Sequence, residues 1–318
     1  MTAPEDLERA ILGAVPELTG NEVADRAGLE REESQRLWRA LGFPEAGDAR
    51  AFSTADAEAL GRVASMGTDG GLDFDTIVRM TRAVGQTMDK LAEWEVATLA
   101  GSLDRSRSGD SQREQALRLV QTVGPEFEAL LVYVWRRHLA AAIARVESVD
   151  VAEEQLAEAT VGFADLVSFS ELTNRLHDDE IGDLVEVFES RSHDVVSRRR
   201  GRVVKTLGDS VLFMAATPAD GMDIAWDIVR VIGGDPRLPD VRAGVVTGSV
   251  VLRMGDVYGP AVNLAARLTG IARRNRVITD VHTAERLPTR LFETRTLPAR
   301  PVRGFGDLQP VAVRRTQR

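Results

Sequence analysis

Cysteine is absent from this chain of 318 residues. Without thiols there can be no disulfide framework and no thiolate metal site, so we expect a reducing, cytoplasmic compartment. Long apolar runs are also lacking, because the longest, such as residues 129–135, are far too short to cross a bilayer. Residues 1–6 are acidic and contain no apolar signal core, which predicts a protein without membrane attachment.

Positive charge is in deficit. The formal net charge of −9 argues against nucleic-acid affinity of the whole chain, although a local basic patch could still exist. Lysine is almost missing, because only Lys90 and Lys205 stand against many arginines. In a sequence that prefers arginine, a retained lysine indicates a need for a compact ammonium rather than a planar guanidinium.

The chain is long enough for two domains that each bury their own core. Helical periodicity over residues 72–100, and a long helix predicted to open at Gly124-Pro125, indicate an all-α domain over residues 1–146. The acidic, alanine-rich residues 147–158 are interpreted as a linker. From residue 159 to 318 strand and helix patterns alternate, which predicts an α+β domain of ferredoxin-like layout.

The elements expected in this second domain begin with a strand over residues 160–166 and helical segments up to 199. A hairpin around Asp209 and a helix over 219–232 follow. Next come a strand over 242–247, a turn at Gly248, a second strand over 250–254, a helix from Pro260 and a strand over 276–279.

Lys205 stands four residues before Asp209, in a stretch where a Gly-Asp turn separates two apolar runs. That pattern predicts two tightly joined strands with Asp209 at the tip. A second aspartate, Asp165, ends the short apolar run of residues 160–166. Two carboxylates at the ends of neighbouring strands suit a pair of Mg²⁺ ions, since hard cations take oxygen ligands. Taken alone, each aspartate fits a turn or a helix cap better than a metal site, and the third stretch below reverses that preference.

A third stretch begins at Asp256 and contains a helix that opens at Pro260, where proline is well tolerated. Asn263 and Arg267 are four residues apart, so they share one face of this helix. As an isolated pair they would be ordinary solvated surface residues.

Together the three stretches resemble the class III nucleotidyl cyclases. The family's strand motif matches Phe163-Ala164-Asp165-Leu166, and its hairpin motif matches Lys205-Thr206-Leu207-Gly208-Asp209. Its third motif matches Asp256 through Arg267, and the resemblance covers residues 155–315. Ser168 and Ser170 depart from the family's usual glycine and threonine, at positions that are not catalytic in the family.

The resemblance implies an adenylate cyclase that converts ATP to 3′,5′-cyclic AMP and pyrophosphate. Asp165, Asp209 and the backbone carbonyl of Leu166 would hold two Mg²⁺ or Mn²⁺ ions. One ion would activate the ribose 3′-hydroxyl for in-line attack, and the other would neutralise the triphosphate. Asn263 would orient the ribose, and Arg267 would stabilise charge on the α-phosphoryl group.

Base choice is expected to rest on Lys205 and Asp256, the family's adenylyl-type pair. An ammonium can donate to adenine N1 and a carboxylate can accept from the 6-amino group, whereas guanine presents the opposite polarity at both places. Arg303 matches a basic family position near the triphosphate, and an ordinary surface charge explains it as well.

The family builds each site from two subunits, and this chain carries both residue sets. The resemblance therefore implies a head-to-tail homodimer with two composite sites. The order of domains also resembles soluble actinobacterial cyclases in which a helical domain, pH-responsive in some relatives, regulates one cyclase domain.

An alternative function comes from residues 18–43, which resemble a helix-turn-helix. Thr19 and Glu22 have capping-box spacing, and Leu37 and Trp38 are expected to face inward. This pattern would suit a DNA-binding regulator with a degenerate cyclase domain. Acidic residues crowd the start of the would-be recognition helix and would repel phosphates, so we favour a structural helical hairpin without nucleic-acid binding. These acids are Glu30, Glu32 and Glu33.

Overall fold

The computed structural model describes residues 9–44, 46–102, 112–146, 156–253 and 255–316. The chain divides into two compact units, Met1–Val149 and Asp150–Arg318. The described elements of the first unit are helical, apart from an isolated β-bridge between Leu18 and Phe52. The second unit is built on a mixed sheet with helices on both faces, which confirms the predicted class of an all-α region followed by an α+β domain.

Three short helices lie between residues 20 and 68 of the first unit, and capping residues mark the starts of two of them. Thr19 caps the first helix by accepting from the backbone N–H of Glu22, whose carboxylate accepts from the N–H of Thr19 in return, so the predicted capping box is present. Ser53 caps the third helix in the same way with Asp56. The three are α1 (Gly20–Ala27), α2 (Arg31–Leu41) and α3 (Thr54–Thr68).

The helix-turn-helix-like segment packs by its apolar face. Leu37 of α2 is fully buried, and Trp38 is partly buried against the same core, which also contains Val23 of α1 and Leu60 of α3. The exposed acids Glu30 and Glu32 stand at the start of α2. A negatively charged helix start is unfavourable for contact with a phosphate backbone.

Two long helices follow, α4 (Phe74–Ser102) and α5 (Gln112–Val146). Pro125 lies inside α5, so the prediction that Gly124-Pro125 opens a helix is wrong. A proline inside a helix removes one backbone hydrogen bond and strains one turn, and helical residues on both sides carry the helix through. Among the described residues, no helix is both long and apolar enough to span a membrane.

The second unit contains ten strands and five helices among its described residues. The helices are α6 (Phe169–Thr173), α7 (Asp178–Arg198), α8 (Pro218–Gly233), α9 (Pro260–Ile271) and α10 (Val281–Glu285). The strands are β1 (Leu156–Leu166), β2 (Arg202–Thr206), β3 (Ser210–Ala215), β4 (Val241–Arg253), β5 (Asp256–Tyr258), β6 (Arg276–Thr279), β7 (Phe292–Thr296), β8 (Arg300–Val302), β9 (Gly306–Leu308) and β10 (Val311–Arg315).

The main sheet has the order β2-β3-β1-β4-β6-β10-β7, with β5 paired to β4. Side chains of β1 alternate between two cores, as the two-residue period of a strand requires. Ala164 packs with Phe188 of α7 and Ile228 of α8 in what we call the α8-side core. Val161 packs with Leu268 of α9 in the α9-side core. By the same alternation, Asp165 at the end of β1 lies on the α9 side of the sheet.

Two sequence predictions about strand bounds differ from the structure. β1 begins at Leu156, four residues before its expected start, so residues 156–158 of the expected linker are strand, and residues 147–155 lie outside the described part of the chain. Gly248 does not form a turn, because β4 runs continuously through it and pairs it with Ala159 of β1. A Cβ at Gly248 would lie 3.3 Å from the Cβ of Ala261, so the glycine makes room for α9.

Gly244 shows how tightly α9 packs on the sheet. A Cβ at this position would lie 2.6 Å from the carbonyl oxygen of Ala265 and 2.6 Å from the backbone nitrogen of Thr269. Both contacts are to helix backbone, which cannot move aside without moving the whole helix. The side chain of Thr269 strengthens this contact by donating to the carbonyl of Phe163 on β1.

Gly244→Ala should therefore destabilise the second unit by about 1–3 kcal/mol through overpacking. Calorimetry of the full chain should show a lower midpoint for one thermal transition. Gly182→Ala is the matched control, because Gly182 lies within α7 with open space around it. That control should be neutral or stabilising by roughly 0.5–1 kcal/mol. Equal stability of the two variants would contradict the close approach of α9.

Candidate active site

Asp165 and Asp209 are brought together by the pairing of β1 with β3. Asp165 lies opposite Ser210 in the antiparallel register, and Asp209 directly precedes that serine in the turn from β2. The N–H of Leu166 donates to the carbonyl oxygen of Asp209 over 2.9 Å, which ties the turn to the end of β1. Gly208 supplies the left-handed conformation of this turn, with φ of +68°.

The two carboxylates repel each other. Burial and the nearby charge of Asp165 raise the pKa of the Asp209 carboxyl, against weaker opposing effects of its own backbone and of Arg242. Arg242 on β4 gives Asp165 a counter-charge, since its Nε and one terminal nitrogen donate to Asp165 Oδ2 over 2.8 and 2.7 Å. Its other terminal nitrogen donates to the carbonyl of Gly270, 3.0 Å away.

This donor set fits a hard divalent cation. Two carboxylates stand close enough for the charge of one to raise the pKa of the other, and carboxylate and carbonyl oxygens are the ligands that Mg²⁺ and Mn²⁺ accept. Within the described ranges no cluster of three or more acidic or histidine side chains could hold a metal. The remaining ligands would therefore come from backbone such as the Leu166 carbonyl, from water or from substrate oxygens.

Lys205 and Asp256 form a direct ion pair. Lys205 Nζ donates to Asp256 Oδ2 over 2.6 Å, and the two side chains are 40% and 25% exposed. Burial alone would raise the pKa of Asp256, but hydrogen bonds from Lys205, the N–H of Val257 and the hydroxyl of Tyr258 outweigh it and hold this pKa below its ordinary value. The pair therefore presents one cationic donor and one anionic acceptor side by side, partly open to a ligand.

Asn263 and Arg267 lie on the exposed face of α9, whose opposite face packs on the sheet. The helix starts at Gly259, where φ is +134° and a Cβ would lie 3.0 Å from the carbonyl oxygen of Ser249. Pro260 then occupies the first turn, as predicted. Among the described residues, no hydrogen bond or ion pair links Asn263 or Arg267 to either aspartate.

Arg303 stands apart from these groups. It is exposed in the turn of the small β8–β9 hairpin, which the N–H of Phe305 closes by donating to the carbonyl of Val302 over 2.9 Å. Of the residues predicted from sequence, the structure thus groups Asp165, Leu166 and Asp209 in one place and Lys205 with Asp256 in another. Asn263 and Arg267 form a third, solvent-facing group.

Arg242 lies outside the residues predicted from the sequence, although it contacts Asp165 directly. The available signal was an arginine at the first position of an otherwise apolar predicted strand. That signal becomes specific only with the register, because β4 places Arg242 opposite Asp165. A chain with many arginines gives no reason to select this one in advance.

A family model described as the adenylate and guanylate cyclase catalytic domain matches residues 151–313. A protein of Streptomyces coelicolor named "Adenylate cyclase" is 39% identical over 96% of this chain and 87% of its own length. A Mycobacterium tuberculosis protein named "pH-sensitive adenylate cyclase" is 30% identical over 82% of this chain and 68% of its own length.

Among solved structures, the adenylyl cyclase CyaB from P. aeruginosa aligns with 52% of this chain and 98% of its own. The identity is 20% and the TM-score is 0.47, so this likeness carries no weight for function.

Asp209→Asn should stabilise the metal-free protein at neutral pH, because it removes a partly buried like charge beside Asp165. The raised pKa means that the folded chain keeps this proton to a higher pH than the unfolded chain. The ionised Asp209 carboxyl therefore lowers the free energy of unfolding, and does so increasingly as the pH rises above 3.8, the ordinary pKa of an aspartate. The gain from asparagine should be up to about 1 kcal/mol, or roughly 2–4 °C, and should disappear in acid.

Thermal unfolding with chelator or with Mn²⁺ measures this effect. Mn²⁺ should raise the midpoint of the wild-type chain and have much less effect on the variant. Asp183→Asn on the exposed face of α7 is the control and should behave as wild type. An equal Mn²⁺ response in both variants would exclude Asp209 as a metal ligand.

Proposed function

The chain belongs to the family of adenylate and guanylate cyclase catalytic domains, and on that premise we propose that it converts ATP to 3′,5′-cyclic AMP and pyrophosphate. Similarity to proteins named adenylate cyclase over 96% of the chain supports this reaction. The choice of ATP over GTP depends on a single observation, the 2.6 Å ion pair between Lys205 and Asp256.

The polarity of this pair complements adenine. The ammonium of Lys205 donates to adenine N1, and the carboxylate of Asp256, kept charged by its lowered pKa, accepts from the 6-amino group. Guanine would place its N1–H donor against the ammonium and its O6 acceptor against the carboxylate. Both protein groups would then be desolvated without partners, which disfavours GTP.

In this proposal the triphosphate of ATP binds at the two aspartates. Asp165, Asp209 and the Leu166 carbonyl would hold two Mg²⁺ or Mn²⁺ ions. Such ions, when bound, lower the pKa of the ribose 3′-hydroxyl and neutralise the phosphates. Arg242 orients Asp165 through two hydrogen bonds to its Oδ2. Arg267 stabilises negative charge on the α-phosphoryl group, Asn263 orients the ribose, and Arg303 contributes to binding of the triphosphate.

We further propose that two chains complete each site. Asn263 and Arg267 face solvent in one chain, and no described interaction joins them to the aspartates. A head-to-tail homodimer would bring α9 of one protomer to the metal ligands of the other, and two-fold symmetry would then generate two equivalent sites.

Regulation by the first unit is part of the proposal. The similarity to the protein named "pH-sensitive adenylate cyclase" covers 82% of this chain, more than the catalytic region alone. Similarity that extends from the helical unit of this chain into its catalytic unit supports control of one by the other. Cyclase activity against pH for the full chain and for residues 151–318 should therefore differ, and matching profiles would remove this role.

Exchange of the base-reading groups tests the substrate. Lys205→Glu with Asp256→Ser should erode the ATP preference, since each lost or reversed hydrogen bond costs roughly 1–3 kcal/mol. The measurement is kcat/KM for ATP and for GTP with Mn²⁺. Lys90→Glu, which changes the other lysine of the chain, is the control and should keep the wild-type ratio. Full ATP selectivity in the double variant would contradict the assignment.

Complementation tests the composite site. Asp209→Ala should abolish activity and Arg267→Ala should nearly do so, yet their heterodimer collects both lesions in one site and leaves the other intact. Random mixing gives about half heterodimers with one working site in two, so co-expression should recover roughly a quarter of wild-type activity.

The matched control co-expresses Asp165→Ala with Asp209→Ala. Both lesions then affect metal ligands, every site lacks one of them, and no recovery is expected. Two tags should verify the heterodimers. An inactive verified heterodimer of the Asp209 and Arg267 variants would count against a shared site.

A further inference from the structure

An irregularity in β2 places two basic residues on one face of the sheet. Arg202 pairs with Met214 of β3 and Lys205 pairs with Leu212, so the register shifts between Val203 and Lys205. In a regular strand, residues three apart point to opposite faces. This β-bulge inserts one extra residue between Arg202 and Lys205, so both side chains point to the same face of the sheet. Bulges commonly redirect side chains in this way.

The partners on β3 identify that face. Residues directly opposite in antiparallel strands point to the same side of the sheet. Met214 and Leu212 both belong to the α9-side core, whereas Phe213 between them belongs to the α8-side core. Arg202 and Lys205 therefore both face the side of α9, and without the bulge Lys205 would point to the opposite core.

Both basic residues contact the hairpin between β4 and β5. One terminal nitrogen of Arg202 donates to the carbonyl oxygen of Gly255 over 3.3 Å. Lys205 binds the carboxylate of the next residue, Asp256, over 2.6 Å. Gly255 turns the chain with φ of +80°, and its carbonyl carbon belongs to the peptide bond that leads directly into Asp256. Arg202 thus holds the backbone immediately before the carboxylate that Lys205 binds.

This hairpin needs such support, because its ladder is short. β5 has three residues, which pair with the last three residues of β4. A two-stranded ladder of this length is marginal without contacts from outside it. Support of the hairpin also controls the position of the Asp256 carboxylate. This position matters because a carboxylate must approach the edge of a base within the narrow distance range of a hydrogen bond.

We infer that Arg202 is a positioning residue for base selection, which holds the turn at Gly255 so that the carboxylate of Asp256 stays beside Lys205. It acts through Asp256 and does not itself touch the base. This role rests on the proposed adenylate cyclase activity. It also explains why β2 carries an arginine three residues before the lysine and a bulge between them.

Arg202→Met tests the role, because methionine keeps an apolar stem and lacks the donor. The KM for ATP should rise by about twofold to tenfold, the range for one lost hydrogen bond, while kcat changes little. The ratio of kcat/KM for ATP to that for GTP should fall by a similar factor. Arg202→Lys keeps a cationic donor and should restore much of the ratio.

A merely structural role predicts a different result. Partial unfolding would lower kcat for both nucleotides equally and leave the ratio unchanged, and that outcome would overturn the inference. Arg276→Met, which removes an exposed arginine at the start of β6, is the control and should match wild type. In an Asp256→Asn background Arg202→Met should change the ratio no further, because Arg202 acts through that carboxylate. If Arg202→Met lowered the ratio in that background as much as it does in the wild type, the action of Arg202 through Asp256 would be refuted.

Hydrogen exchange gives a readout that does not depend on activity. Backbone amides of residues 255–259 in the full chain should exchange faster in Arg202→Met than in wild type or Arg276→Met, as expected for a hairpin that has lost its tether. Unchanged exchange would overturn the inference whatever the activity. A wild-type chain inactive on both ATP and GTP would instead refute the proposed function and, with it, the role in base selection.

Discussion

Repulsion between the carboxylates of Asp165 and Asp209 is the constraint on which the rest of the catalytic unit depends. Left to themselves, two like charges at a strand end would move apart. The register of β1 with β3 and the hydrogen bond from Leu166 to Asp209 prevent this, and burial together with the nearby charge of Asp165 raises the pKa of the Asp209 carboxyl. Arg242 offsets part of the repulsion by pairing with Asp165. A divalent cation bound between the two carboxylates would offset the remainder.

Three irregularities of the backbone orient the polar groups of the site. Gly208 turns β2 into β3 and sets Asp209 beside the end of β1, while Gly255 turns the chain from β4 into β5 and sets Asp256. The bulge at Val204 points Lys205 to the face that Asp256 occupies. The pairing of β1 with β3 and with β4 is regular throughout. The paired strands thus hold a few polar side chains in fixed directions at the two turns and the bulge. Fixed side chains lose less conformational entropy when a substrate binds.

Much of the fold could be predicted from local pattern. Alternation identified the α+β unit, and the capping-box spacing of Thr19 and Glu22 correctly marked a helix start. Errors arose where long-range packing outweighs local preference. Gly248 continues a strand because β1 pairs along it and α9 needs the space, and Pro125 lies within a helix that extends on both sides. Arg242 was missed because its importance comes only from the strand that lies opposite.

What the sequence determined by itself is the chemistry: which carboxylates, which ammonium and which guanidinium the chain could use, since residue type and spacing in three short stretches specify them. The tertiary structure alone decided which of these groups meet. Lys205 and Asp256 are 51 residues apart in the chain and still form an ion pair, and Asp165 and Arg242 are 77 apart. Such contacts follow from strand order and register, which many distant side chains determine together. A local pattern therefore names the candidate groups, and only the packed sheet sets their distances.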